Sequence, residues 1–261
     1  MNTCLSPIND ATLLSQDINV EDIFTLIKIV GRGEESFVYK ALAKDNAVDY
    51  VVAVSISGVT AGFKKDILEI ACKLSTLSQY TESFITIINW IVSNNRLIIS
   101  MPLLDGTLGG LDLSDMSESH ILEMFFEFIY GYLVAQTQYG FVHKDIHESN
   151  IGYKRVPHSR IYPIRGHYYE INSPYMLVFI DFGFSYFNAT SLDKTIDKAM
   201  ILTTFEESLN SSGYESDSLM NFIETLDNRS DNYEKELLSL LTPVDGITEG
   251  TTVHVYKSFL T

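Results

Sequence analysis

Hydrophobic and polar positions change period several times along the 261-residue chain, and each change marks an element. Apolar residues crowd together from 23 to 30, which suits a short helix or a strand, and the run ends at Gly31-Arg32-Gly33. β-prone residues resume from Phe37 to Leu42, so a strand, a glycine turn and a returning strand are expected. Residues 49–57 read as a further strand and 58–62 as a loop. Phe63, Ile67, Ile70, Ala71, Leu74 and Leu77 then recur at the spacing of one helical face. Two strands, 84–92 and 96–104, flank the turn Ser93-Asn94-Asn95. This first part predicts a five-stranded sheet with one helix.

The second part is mainly helical. Ile121, Leu122, Phe125, Phe128, Ile129, Tyr132 and Leu133 give 118–139 a helical stripe, and Gly140 stops it. A polar interval with Pro157, Pro163, Gly166 and Pro174 follows, within which 162–171 can form an extra hairpin, and 175–180 reads as a strand. A polar segment at 188–194 leads to a helix over 196–209. Helical stretches at 219–226 and 233–241 and a strand-like 253–259 complete the chain. The pattern predicts an α+β protein: a leader (1–22), a β-rich part (23–104) and a compact helical part (105–261).

Charge narrows the partners. With 34 acidic against 18 basic residues the net charge is -16, which disfavours a nucleic-acid-binding surface and favours a basic partner. Cys4 and Cys72 are the only cysteines, so no disulfide framework is expected, in keeping with a reducing compartment. No apolar run approaches the ~20 residues of a membrane span. The first 17 residues lack the basic and apolar regions of a secretory signal. An intracellular protein, cytoplasmic or nuclear, is expected.

Two blocks carry chemistry. The first is His143-Lys144-Asp145-Ile146-His147-Glu148-Ser149-Asn150, and the second is Val178-Phe179-Ile180-Asp181-Phe182-Gly183. An H-x-D-x-x-x-x-N loop upstream of a strand ending in D-F-G suits transfer of the ATP γ-phosphoryl. Asp145 is the candidate acceptor of a hydroxyl proton, and Asn150 and Asp181 are the candidate Mg²⁺ ligands. Upstream, Gly31, Gly33, Ser36 and Val38 form a glycine turn whose amides can face phosphates. Met101-Pro102-Leu103 resembles the segment joining the two lobes of a kinase, a resemblance that implies backbone contact with an adenine.

With these blocks in order, residues 23–209 resemble the eukaryotic protein-kinase superfamily, which implies a bilobal fold with ATP and Mg²⁺. Within it the chain is similar to haspin-type kinases. Gly109-Gly-Leu-Asp-Leu, Asp145-Ile-His147, the long interval before Asp181 and the lack of an A-P-E sequence carry that likeness. The resemblance implies phosphorylation of a serine or threonine on a protein, with a basic tail such as a histone as substrate. It assigns nucleotide contacts to Ala53, Ser55, Glu69, Met101, Leu103 and Asp112. Departures are informative. The strand that reads V-A-I-K in kinases is Val52-Ala53-Val54-Ser55, so the phosphate-binding lysine is a serine and Glu69 lacks its partner. Lys40, Lys64 and Lys65 are the candidate substitutes. Glu34 and Glu35 occupy the loop tip, Ser36 stands at its third glycine, and Lys144 replaces the usual arginine. Two alternatives follow, a pseudokinase acting as a binding module and a small-molecule phosphotransferase of the D-x-H-x-x-N type.

Overall fold

The computed structural model describes Cys4 and residues 19–32, 36–44, 50–58 and 61–214, with isolated positions beyond (216, 219, 220, 223, 238, 241, 243, 244, 254 and 255). The protein is a mixed α+β chain of two compact units. One comprises residues 1–76 and 85–104, the other 77–84 and 105–261.

The first unit is an antiparallel sheet with two helices. Strands β1 (Phe24–Arg32), β2 (Ser36–Ala43), β3 (Tyr50–Ser57), β4 (Asn89–Ser93) and β5 (Arg96–Pro102) lie in the order β1-β2-β3-β5-β4. Alternation builds it. Phe24, Ala41, Ala43, Val54, Ile91 and Ile98 form a buried cluster on one face. Asn94 and Asn95, with φ of 48° and 61°, make the two-residue turn between β4 and β5, since Asn tolerates the left-handed conformations that such hairpins need. A short helix, α1 (Val20–Ile23), is capped by the Asn19 side chain. The longer α2 (Ala61–Ser75) buries Leu68, Ala71 and Leu74.

Two expectations fail in this unit. The segment 84–92 is not one strand: β4 begins at Asn89, and Phe84 is paired in the other unit. Its ring stacks on Phe179, 5.1 Å between centroids, so an aromatic core outcompetes strand extension. The two cysteines also do not stay apart. Cys4 is disulfide-bonded to Cys72 on α2, with Cα atoms 5.0 Å apart across 68 positions. The link removes the argument for a reducing compartment.

The second unit is centred on α3 (Glu118–Tyr139), which starts at the Ser117 cap and ends at Gly140 in the left-handed conformation (φ 60°). Most of its circumference is buried, as expected of a helix passing through a core. Phe128 stacks on Phe179 at 3.8 Å and Phe125 on Phe205 at 3.7 Å. Phe205 belongs to α4 (Ser191–Ser211). That helix begins a turn before the expected residue 196 because Thr190 and Asp193 form a reciprocal capping box.

Two small sheets complete the unit. One joins β6 (Gly106–Thr107), β7 (Ile151–Arg155) and β10 (Tyr175–Phe179) in the order β10-β7-β6. The other contains the inserted hairpin β8 (Arg160–Ile164) and β9 (His167–Ile171), with β11 (His254–Val255) parallel to β8. A buried ion pair fastens the hairpin to α3. The Glu127 carboxylate, fully buried, accepts from Arg160 Nε at 2.6 Å, Arg160 Nη2 at 2.9 Å and the Tyr162 hydroxyl at 2.5 Å. The expected helices at 219–226 and 233–241 lie mostly outside the described residues. Among the described residues no helix is long and apolar enough to cross a membrane.

Candidate functional site

The loop from His143 to Asn150 leaves α3 through the bridge between Val142 and Tyr186 and enters β7 directly. Antiparallel pairing of β7 with β10, Ile151 opposite Phe179, brings Asn150 beside the residues after β10. The Ile180 amide donates to the Asn150 carbonyl at 3.1 Å. Sequence positions 30 apart therefore meet because two apolar strands pair, and Asp181 emerges next to Asn150.

Side chains then fix the loop internally. Asn150 Nδ2 donates to the Asp145 carbonyl at 3.0 Å and to Asp145 Oδ2 at 2.8 Å. Both bonds use the amide nitrogen, and Asn150 Oδ1 takes no part in them. The His147 ring accepts from the Ser149 amide through Nδ1 at 3.3 Å, and its Nε2 lies 3.7 Å from Asp145 Oδ2. Asp181 is exposed with φ 59°, and its Oδ1 accepts from the Gly183 amide at 3.1 Å. Phe182 is buried against His143 and Phe141. His143 is itself fully buried, with Nε2 3.0 Å from the Ile180 carbonyl. Burial pushes its pKa down, against weaker opposing effects of the Ile180 bond and nearby carboxylates, so the ring is held neutral.

A residue that the sequence reading missed holds the loop from below. Asp197, buried in the middle of α4, accepts from the His143 amide at 2.6 Å and the Tyr132 hydroxyl at 3.0 Å through Oδ2, and from the Lys144 amide at 2.7 Å through Oδ1. Lys144 sits at φ 66°, a conformation a lysine rarely adopts, and these bonds sustain it. A signal was present: Asp197 lies four residues before Ile201 on the apolar stripe of α4. Lys144 Nζ pairs with Asp193 Oδ1 at 3.2 Å. The Asp193 carboxyl is held well below the usual carboxylate range, first by the Thr190 hydroxyl, then by the Tyr186 hydroxyl.

No protein-family model matches the chain, and no curated protein matches it.

Gly109 and Asp112 gain a local explanation. A Cβ at Gly109 would stand 2.7 Å from the Glu148 carboxyl carbon, so glycine lets the turn 108–110 close onto the loop. Asp112 is exposed, and its Oδ1 accepts from the Ser114 hydroxyl at 2.7 Å and amide at 2.9 Å, which lowers its pKa. That oxygen caps its own turn.

In the first unit the ladders are regular, and opposed residues share a face. Val38 lies opposite Ser55, and Ser55 opposite Ile99; Lys40 lies opposite Ala53, and Ala53 opposite Met101. Val38, Lys40, Ala53 and Met101 therefore share one face of the sheet, with Gly31 paired to Val38 at its β1 edge. Ser36 pairs with Ser57, Leu103 follows β5, and Glu69 lies half-buried on α2. Gly33 and the two loop glutamates lie outside the described residues. Of the three candidate lysines, Lys40 is on β2, the strand paired with that of Ser55; Lys64 and Lys65 are on α2.

Among the described residues no group of three or more His, Cys, Asp or Glu side chains could hold a metal ion. An amide oxygen and one carboxylate still suit Mg²⁺, which keeps several waters and takes its remaining ligands from phosphates.

Proposed function

We propose that the chain is an ATP-dependent phosphotransferase of the bilobal protein-kinase type, acting on a serine or threonine hydroxyl. The observation that carries this reading is the convergence at Asn150. Its amide nitrogen fixes Asp145, and its carbonyl binds the residue before Asp181. In this reading the hydrogen bonds of Asn150 would bring the base in its loop and the two oxygen ligands together. MgATP would supply the γ-phosphoryl group and the charge that offsets its oxygens, with Asn150 Oδ1 and Asp181 as protein ligands. Asp145 accepts the hydroxyl proton and orients the oxygen for in-line attack. Asp197 holds the peptide planes at His143 and Lys144, so the base is presented without rearrangement. The surplus of carboxylates supports a basic protein segment as substrate, a haspin-like preference.

Ser55 favours a second reading, a nucleotide-binding module without transfer. It stands in the central strand at the position where the resembled family carries its phosphate-binding lysine.

Calorimetric titration with ATP, with and without Mg²⁺, tests both. Asp181→Asn should weaken Mg²⁺-dependent binding at least tenfold, while Asp145→Asn should leave affinity unchanged and reduce transfer to basic peptides by ~10²–10⁴. Binding without transfer by the parent protein would establish the second reading. Absence of ATP binding both with and without Mg²⁺ would refute both.

A further inference from the structure

His147 makes two contacts that the transfer chemistry above leaves unused. Its Nδ1 accepts from the Ser149 amide at 3.3 Å, capping the single turn Glu148–Asn150, so the neutral ring carries its proton on Nε2. That Nε2 lies 3.7 Å from Asp145 Oδ2, the same oxygen that accepts from Asn150 Nδ2 at 2.8 Å. Two N–H groups thus gather on one oxygen of the carboxylate. Among the described residues no donor reaches the other, Oδ1.

Among the described residues, the neighbouring charged side chains have partners other than the imidazole. The Glu148 carboxylate packs against Gly109, and Lys144 is paired with Asp193. On β7, Lys154 bonds Glu82, and Arg155 lies over the Tyr175 ring. The ring is half exposed, so it can follow the small movement needed to close 3.7 Å to a hydrogen bond. Catalytic contacts are commonly long before substrate binds and tighten afterwards.

We propose that His147 is a positioning residue for Asp145. By donating from Nε2 it anchors Oδ2 together with Asn150, and so turns Oδ1 toward the acceptor hydroxyl. A carboxylate held by one donor can rotate about its terminal torsion, which is broad and two-fold; two donors on one oxygen remove that freedom. The inference rests on the phosphoryl-transfer reading of the same loop.

The test uses the full chain and three substitutions, His147→Ala, His147→Gln and Asp145→Asn, each measured for kcat, for KM toward ATP and for melting temperature. Loss of the donor should lower kcat by about 10- to 100-fold, less than the ~10²–10⁴ a general base itself contributes. KM for ATP should stay within about twofold, because the ring acts on the base and not on nucleotide binding. Glutamine, whose amide N–H extends to a similar reach, should restore most of the loss, which a merely structural cap would not do. Nitrogen-15 shifts of the parent protein should identify the Nε2–H tautomer. Parental kcat in His147→Ala, glutamine no better than alanine at equal melting temperature, or an Nδ1–H tautomer would each overturn the inference while leaving the reading intact. A parent protein without transfer, or transfer surviving Asp145→Asn, would overturn the reading and the inference together.

Discussion

Replacing Asp197 by asparagine isolates the support beneath the loop, because the shape is kept and one acceptor becomes a donor. The carboxylate now accepts three bonds at 2.6, 2.7 and 3.0 Å, two of them from backbone amides of His143 and Lys144. An asparagine oxygen can keep the His143 amide and the Tyr132 hydroxyl. Its NH₂ then faces the Lys144 amide, donor against donor, with no water to relieve it, since Asp197 is fully buried. One charge-assisted bond is lost, about 1.5–3 kcal/mol, and a buried donor is stranded, about 1–3 kcal/mol more. Lys144, at φ 66°, can escape by leaving the left-handed region, so the loop relaxes before the domain unfolds. If about 3 kcal/mol acts on the loop alone, its competent geometry falls to about one molecule in a hundred, and kcat falls by a similar factor. Steady-state transfer assays measure that loss, and hydrogen exchange at residues 143–145 measures the opening. Tyr132→Phe, which removes only the neutral bond, should cost ~0.5–1.5 kcal/mol. Parental kcat with unchanged exchange protection in Asp197→Asn would refute the argument.

Arg160→Leu should destabilise the second unit by about 3–5 kcal/mol in urea titrations by stranding the buried Glu127 charge, whereas adding Glu127→Leu should recover most of it; a double variant no more stable than the single one would contradict this. Opening the Cys4–Cys72 link with a phosphine reductant should lower the stability of the first unit by about 2–4 kcal/mol, because it releases a closed loop spanning 68 positions. A titration that finds two free thiols in the unreduced, denatured protein would disprove the link. Ser55→Lys should strengthen MgATP binding by one decade or more, a charged hydrogen bond being worth about 1.5–3 kcal/mol, and unchanged affinity would refute the expectation that a lysine at this position reaches the phosphates.

Local pattern carried much of the fold. The alternation that separates Ala41, Val54 and Ile98 from the opposite face specified the sheet, and the double Asn specified its last turn. The apolar stripe and Gly140 bounded α3 closely, and the hairpin within 162–171 was legible as well. What escaped was long-range. Phe84 looked like strand because its neighbours do, but its stacking partner Phe179 lies far along the chain. Glu127 and Arg160, like Asp197 and the loop amides, are polar groups whose partners are set by tertiary packing, which no local period encodes. Cys4 gave no sign of its pairing, since a lone cysteine in a polar leader carries no spacing to read. The start of α4 is a different miss: Thr190-x-x-Asp193 is a local cap signature, passed over because the segment is polar.

Asp193 ties two events into one. Its carboxylate takes the Thr190 amide and hydroxyl as part of the cap of α4, and it also holds Lys144 Nζ. The first turn of the helix and the lysine thus share one carboxylate, the cap through Oδ2 and the lysine through Oδ1. Opening of residues 143–145 and of 190–194 is then expected to be coupled through this carboxylate, and hydrogen exchange at the two segments measures the coupling. Order in the loop that carries Asp145 then draws in part on the capping of a helix elsewhere in the chain.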